Sequence, residues 1–177
     1  MQNLRMIIRV LFISTFIFLF GEGLYIHFVH HMNLNIIGLE TANTIRGTEL
    51  LAYFYGHSIS GRNLIYYAQL NTYVDFLFII GYAGMMIIIT NNLLRRVKHQ
   101  YLCMALRTCL LMTIAAGILD IFENSILLSD MHGYYPGKAY VSSMYVSYSK
   151  WILAGTVFVI WIVAFIHTWR IKSVRTA

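Results

Sequence analysis

LCMALRTCLLMTIAAGILDIFENSILL, residues 102–128, is long and apolar enough to cross a bilayer, yet its second half carries Asp120 and Glu123. About 20 apolar residues wound as a helix span a hydrocarbon core of about 30 Å, so the stretch predicts a transmembrane helix. Within it Thr113, Ala116, Gly117, Asp120, Glu123 and Asn124 recur at three- and four-residue spacing, a small and polar stripe on an otherwise apolar cylinder. A carboxyl group in hydrocarbon is costly unless protonated, paired or ligated, so the stripe should face other helices and have a use.

Three further windows pass the same test: residues 10–28, 72–90 and 149–169. With 59% hydrophobic and 11% charged residues over 177 positions, the chain is far more apolar than a soluble domain. The predicted fold is an all-α membrane protein, a single domain over 1–177 built as an antiparallel four-helix transmembrane bundle, with outer connections near 29–71 and 129–148. A cleaved secretory leader is the competing reading of the first window, from Arg5, Arg9 and Gly21-Glu22-Gly23. The apolar run continues through Leu24 to Val29, longer than a leader's usual core, which favours a retained span.

The net charge of +6 is distributed as a topology signal. Arg5 and Arg9 precede the first window, Arg95, Arg96 and Lys98 separate the second and third, and Arg170, Lys172 and Arg175 follow the fourth. The positive-inside rule puts all three groups and both termini in the cytoplasm, with a bacterial inner (plasma) membrane as the expected location. These residues are accounted for by topology and by membrane lipids, and nucleic acid is not an expected partner. In the long first outer connection, residues 49–55 predict an interfacial helix followed by a break at Gly56, Ser58, Ser60 and Gly61. The outer tyrosines read mainly as an aromatic belt. Cys103 and Cys109, on different faces of one helix, read as packing residues rather than a disulfide.

At about 1.5 Å per residue, Glu22, Asp75, Asp120 and Glu123 fall roughly 9, 5, 12 and 8 Å inside the outer boundary. Acids from three helices at one level predict a shared polar site. Asp75 and Tyr82 share a face of the second helix, where Gly81 and Gly84 admit a close neighbour. Ser14, Phe18, Glu22 and Tyr25 are the expected inward line of the first. Tyr148 and Lys150 reach the outer end of the fourth, Lys150 by snorkelling. The candidate catalytic residues are Asp75, Asp120 and Glu123, with Asp120, the deepest, expected to hold a proton. The candidate ligand-binding residues are Glu22, Tyr82, Asn124 and Tyr148.

His27-Phe28-Val29-His30-His31 resembles one histidine box of membrane desaturases and hydroxylases, but the remaining histidines are scattered and exclude that family. His27, or His30, together with the acids would suit a divalent metal such as zinc, manganese or iron. The di-iron bundle pattern requires Glu-x-x-His, where this chain has Asp120-x-x-Glu123. In outline, four spans, a long first outer loop and acids near helix ends resemble the sterol-isomerase and sigma-2-receptor family, a likeness of topology that assigns no residues.

The leading functional expectation is an acidic intramembrane pocket near the outer leaflet that binds a cation, an amine or a lipid head group. A protonated and an ionised carboxyl there could act as general acid and base. The alternative is a structural or accessory subunit of a membrane complex, its acids forming only a helix-packing network, as a homo-oligomer or with a membrane partner. Cation-coupled transport is a third reading and would require an oligomer.

Overall fold

The computed structural model describes residues 2–176, with side chains through residue 169. The basic group Arg170, Lys172 and Arg175 therefore lies outside the described side chains. The chain forms α1 (Gln2–His30), α2 (Ile36–Glu40), α3 (Thr44–Gly56), a two-stranded hairpin of β1 (Ser58–Ile59) and β2 (Arg62–Asn63), then α4 (Leu64–Leu94), α5 (Gln100–His132) and α6 (Met144–Thr176). It is nearly all helical, and α1, α4, α5 and α6 are long and apolar enough to cross a membrane.

Each long helix exceeds the window predicted for it. At 31 residues α4 is about 46 Å long, well beyond a hydrocarbon core, and it begins at Leu64 rather than near 72. An apolarity test finds only the part of a helix that must avoid water, while the polar ends continue under capping. Asn63 supplies such a cap, its side chain accepting the Tyr66 N–H at 3.2 Å. Asn35 and Asn43 do the same for α2 and α3, accepting from Gly38 at 2.8 Å and Arg46 at 2.9 Å.

Consecutive long helices pack together, α1 on α4, α4 on α5 and α5 on α6, and α4 also touches α6. Only 6% of the most apolar window of α1 is buried against 28% of that of α5, so α5 is central and α1 is a flanking helix carried by α4. The expected inward line of α1 is corrected accordingly. Ser14, Phe18 and Tyr25 are exposed, and Thr15 and Ile26 are the buried residues. Gly81 and Gly84 do admit a close neighbour: a Cβ at Gly81 would stand 2.9 Å from the Phe12 Cα, and one at Gly84 2.9 Å from Ile8.

The expected first connection is a folded cap rather than a loop. α3 contains the predicted helix at 49–55, and the break after it is the hairpin, whose turn residues Ser60 and Gly61 take φ of 52° and 81°, as a tight primed turn requires. The main apolar core lies here, joining Leu39, Leu51, Phe54 and Leu64 to Ile26 of α1 and to Leu127 and Met131 of α5. Residues 133–143 close over it. Tyr140 is buried rather than part of an aromatic belt, donating its hydroxyl to the Leu39 carbonyl at 2.8 Å, while its N–H reaches the Thr48 hydroxyl at 3.0 Å. In the last turn of α5, Asp130 accepts the Val141 N–H at 2.9 Å and lies 3.6 Å from the Lys138 ammonium, which fixes the crossing segment. A smaller core of Leu93, Val97, Leu106 and Ala164 holds the opposite end of the long helices.

Candidate functional site

Beneath the cap, α2, α4, α5 and α6 converge on Lys150. Ser143, just before α6, and Ser147 and Lys150 within it are spaced by four and three residues, so they line up with one face of the helix, followed on that face by buried Val157 and Ala164. The Lys150 ammonium lies 2.6 Å from Glu123 Oε2, 2.8 Å from Asp120 Oδ1 and 3.7 Å from Glu40 Oε2. Its exposure is 7%, which overturns the snorkelling expectation. The physical reason is geometric: nearly two turns in from the start of α6, the side chain faces α5, where Asp120 and Glu123 are three residues apart and present both carboxylates to it.

The remaining oxygens are bound in turn. Tyr82 of α4 donates its hydroxyl to Asp120 Oδ2 at 2.8 Å. Asn124 of α5 donates its amide to Asp75 Oδ2 at 2.7 Å. The Ser147 hydroxyl meets Glu123 Oε1 and also the Glu40 carbonyl at 3.0 Å, and Ser143 meets that same carbonyl at 3.3 Å. The end of α2 is thus held by hydroxyls at the start of α6, which satisfy the Glu40 carbonyl that a five-residue helix leaves unpaired. Glu123 and Asn124 are almost fully buried, with exposures of 0% and 1%. Asp75 is half-buried and is the one acid of the cluster without the lysine within 4 Å.

Three carboxylates surround the ammonium and Asp75 lies behind Asn124, so four acids share one lysine, a formal excess of three negative charges in a place poor in water. Burial pushes the Glu40 carboxyl up to about 8, with Glu123, Asp75 and Asp120 adding to the rise and Lys150 opposing it. Glu40 therefore carries a proton at neutral pH. The arrangement can hold protons, accept a donor or cation at Asp75, and keep a fixed internal ion pair at Asp120 and Glu123.

The expected residues divide in two. Asp75, Tyr82, Asp120, Glu123 and Asn124 come together. Glu22 stays outside, half-buried between α1 and α4, where its carboxylate accepts from Asn71 at 3.2 Å. Tyr148 is 50% exposed and makes no side-chain hydrogen bond among the described residues, since it lies on α6 away from the Ser147–Lys150 face. His27 is exposed beside Phe28 at the end of α1, the helix farthest from the cluster, so helix order separates it from the acids. Among the described residues no group of three His, Cys, Asp or Glu is arranged to hold a metal ion. Asp120, expected to hold a proton because of its depth, lies 2.8 Å from the Lys150 ammonium.

Sequence reasoning missed Glu40 and the hydroxyls of Ser143 and Ser147. The four-and-three spacing of the serines and Lys150 was the signal available for α6. Glu40 had none, since its burial depends on a chain segment about a hundred residues later. No family model matches this chain, and neither a curated protein nor a solved structure matches it.

Proposed function

We propose that the chain is a multi-pass membrane protein, one domain with antiparallel spans and cytoplasmic termini, whose acidic cluster binds a cation or amine near the outer leaflet. Asp75 is the binding carboxylate in this reading. The observation that carries it is the charge imbalance: Lys150 answers Asp120 and Glu123, whereas Asp75 has an amide donor and no cation. A basic head group entering beside Tyr82 would supply the missing charge, and Asn124 would orient the carboxylate toward it. Where chemistry follows binding, Asp75 takes the general acid or base role in place of Asp120.

Amphiphilic tertiary amines are the direct probe, with binding read by isothermal titration in detergent for the wild type, Asp75→Asn and Lys150→Met. Asp75→Asn is expected to lose binding and keep the wild-type unfolding midpoint. Lys150→Met is expected to lose about 3–5 kcal/mol of stability, since it strands buried carboxylates. Amine binding that is absent from the wild type, or unchanged in Asp75→Asn, removes the reading.

The second reading is a structural or accessory subunit whose cluster only fastens the cap to the long helices. It is favoured by closure of the network, in which each acid has an internal partner, and by the two described cavities, both of which lie away from the cluster. Transport gains no support from a broken helix, as each long helix runs without interruption.

A further inference from the structure

At the end of the molecule opposite the acids, a groove of about 590 Å³ opens between the start of α1 and the last turns of α4. Gly84 faces Ile8 across the two helices, and the groove's lining runs from there to Arg5 and Arg95 near the helix ends. Its apolar lining is Ile8, Ile87 and Ile88 with Leu4 and Leu94, and toward the helix ends it also carries Arg5, Asn91 and Arg95. Gly84, Ile88, Asn91 and Arg95 follow one another at four, three and four residues, so one face of α4 changes from apolar to polar along its length.

The two arginines have no partner within the described residues: the ion pairs there involve Lys138 and Lys150 alone. Nor is a carboxylate close by, because positions 2–21, 76–119 and 131–169 contain no Asp or Glu. The partial negative charge of the final α4 turn opposes an anion, and Arg95 and Arg96 at that terminus offset it. We infer that this groove is a specific binding site for one anionic phospholipid. Its phosphate sits between the Arg5 and Arg95 guanidinium groups, which match phosphate oxygens in geometry as well as charge, and Asn91 donates to the glycerol region. One acyl chain lies against Ile8, Ile87 and Ile88. Charge complementarity selects this occupant over a second copy of the chain, whose corresponding surface would bring more arginine to the groove. The inference requires only that the chain sits in a bilayer, and it stands apart from the acidic cluster.

Native mass spectrometry of the purified full chain tests it, with phosphatidylglycerol and phosphatidylcholine supplied in equal amounts. The wild type is expected to retain one phosphatidylglycerol with a roughly thirtyfold preference, the size set by two arginine contacts. Arg5→Gln with Arg95→Gln should bring the two lipids near parity at an unchanged unfolding midpoint. Ile88→Trp, which fills the apolar arm and keeps both arginines, should remove the bound lipid. Arg96→Gln, on the far side of α4 in a different groove with Trp161, should leave the preference intact. Parity in the wild type, an unaltered preference in the double arginine variant, or an equal loss in Arg96→Gln would overturn the inference. So would disulfide-linked dimers formed through a cysteine at Ile88, since the occupant would then be a second copy.

Discussion

Lys150 gathers three carboxylates from two elements, and its neighbours differ in how firmly they are held. Asp120 and Glu123 are within 2.8 Å, whereas Glu40 stands off at 3.7 Å. With its carboxyl at about 8 in the folded chain and an ordinary value near 4.5 unfolded, Glu40 binds its proton more tightly when folded. Its stabilising share is full below about pH 4.5 and is lost as pH rises through about 8. Glu40→Gln is expected to remove that share of the pH dependence. The difference in unfolding midpoint between wild type and variant should grow from pH 5 to pH 9 in favour of the variant. A constant difference across that window would mean that Glu40 is ionised throughout. The clustering of Asp75, Tyr82, Asp120 and Asn124 was legible because helical periodicity alone fixes which residues share a face. The burial of Lys150 was not, because a lysine near a helix end reads the same facing lipid head groups or facing a neighbouring helix. Only the packing partner distinguishes the two, and hydropathy along one helix contains no information about it.

The four long helices were visible as apolar windows, but the cap was not, since its elements are short and its core is assembled from distant pieces. α2 has five residues, and its stability comes from Asn35 at one end and, at the other, hydroxyls at the start of α6, rather than from propensity. Gly47 in α3 shows how tightly the crossing segment is seated: any Cβ there would overlap the ring of Tyr140. Gly47→Ala is expected to lower stability by about 1–3 kcal/mol through overpacking. Tyr140→Ala removes the obstructing ring at its own cost, so the double variant should lie well above the sum of the two single effects. Additive losses in detergent unfolding would show that Gly47 and Tyr140 do not meet. Because the same segment carries Ser143 into contact with Glu40, loosening it should also weaken the amine binding proposed at Asp75.

Across the whole molecule the acids collect at one end, where Arg46, Arg62, Lys138 and Lys150 also lie, and the other end is basic without any acid. Glu40, Asp75, Asp120, Glu123 and Asp130 gather at or beneath the cap, while Arg5, Arg9, Arg95, Arg96 and Lys98 gather at the other end. In a membrane that separation sets orientation, because cationic segments resist translocation and acids contribute little to the choice. The cap end should therefore face outward, with the α4–α5 turn in the cytoplasm. Single cysteines on a Cys103→Ala, Cys109→Ala background report this directly, one at exposed Ser60 in the hairpin turn and one at exposed Lys98. In intact cells a membrane-impermeant maleimide is expected to label the Ser60 position and to reach the Lys98 position only after lysis. The reverse pattern would place the acidic cluster at the cytoplasmic face, where a ligand would have to arrive from inside the cell. It would also move the Arg5–Arg95 groove to the outer leaflet, where anionic phospholipid is a different population. One labelling experiment thus fixes the compartment from which both sites are supplied, before any ligand is identified.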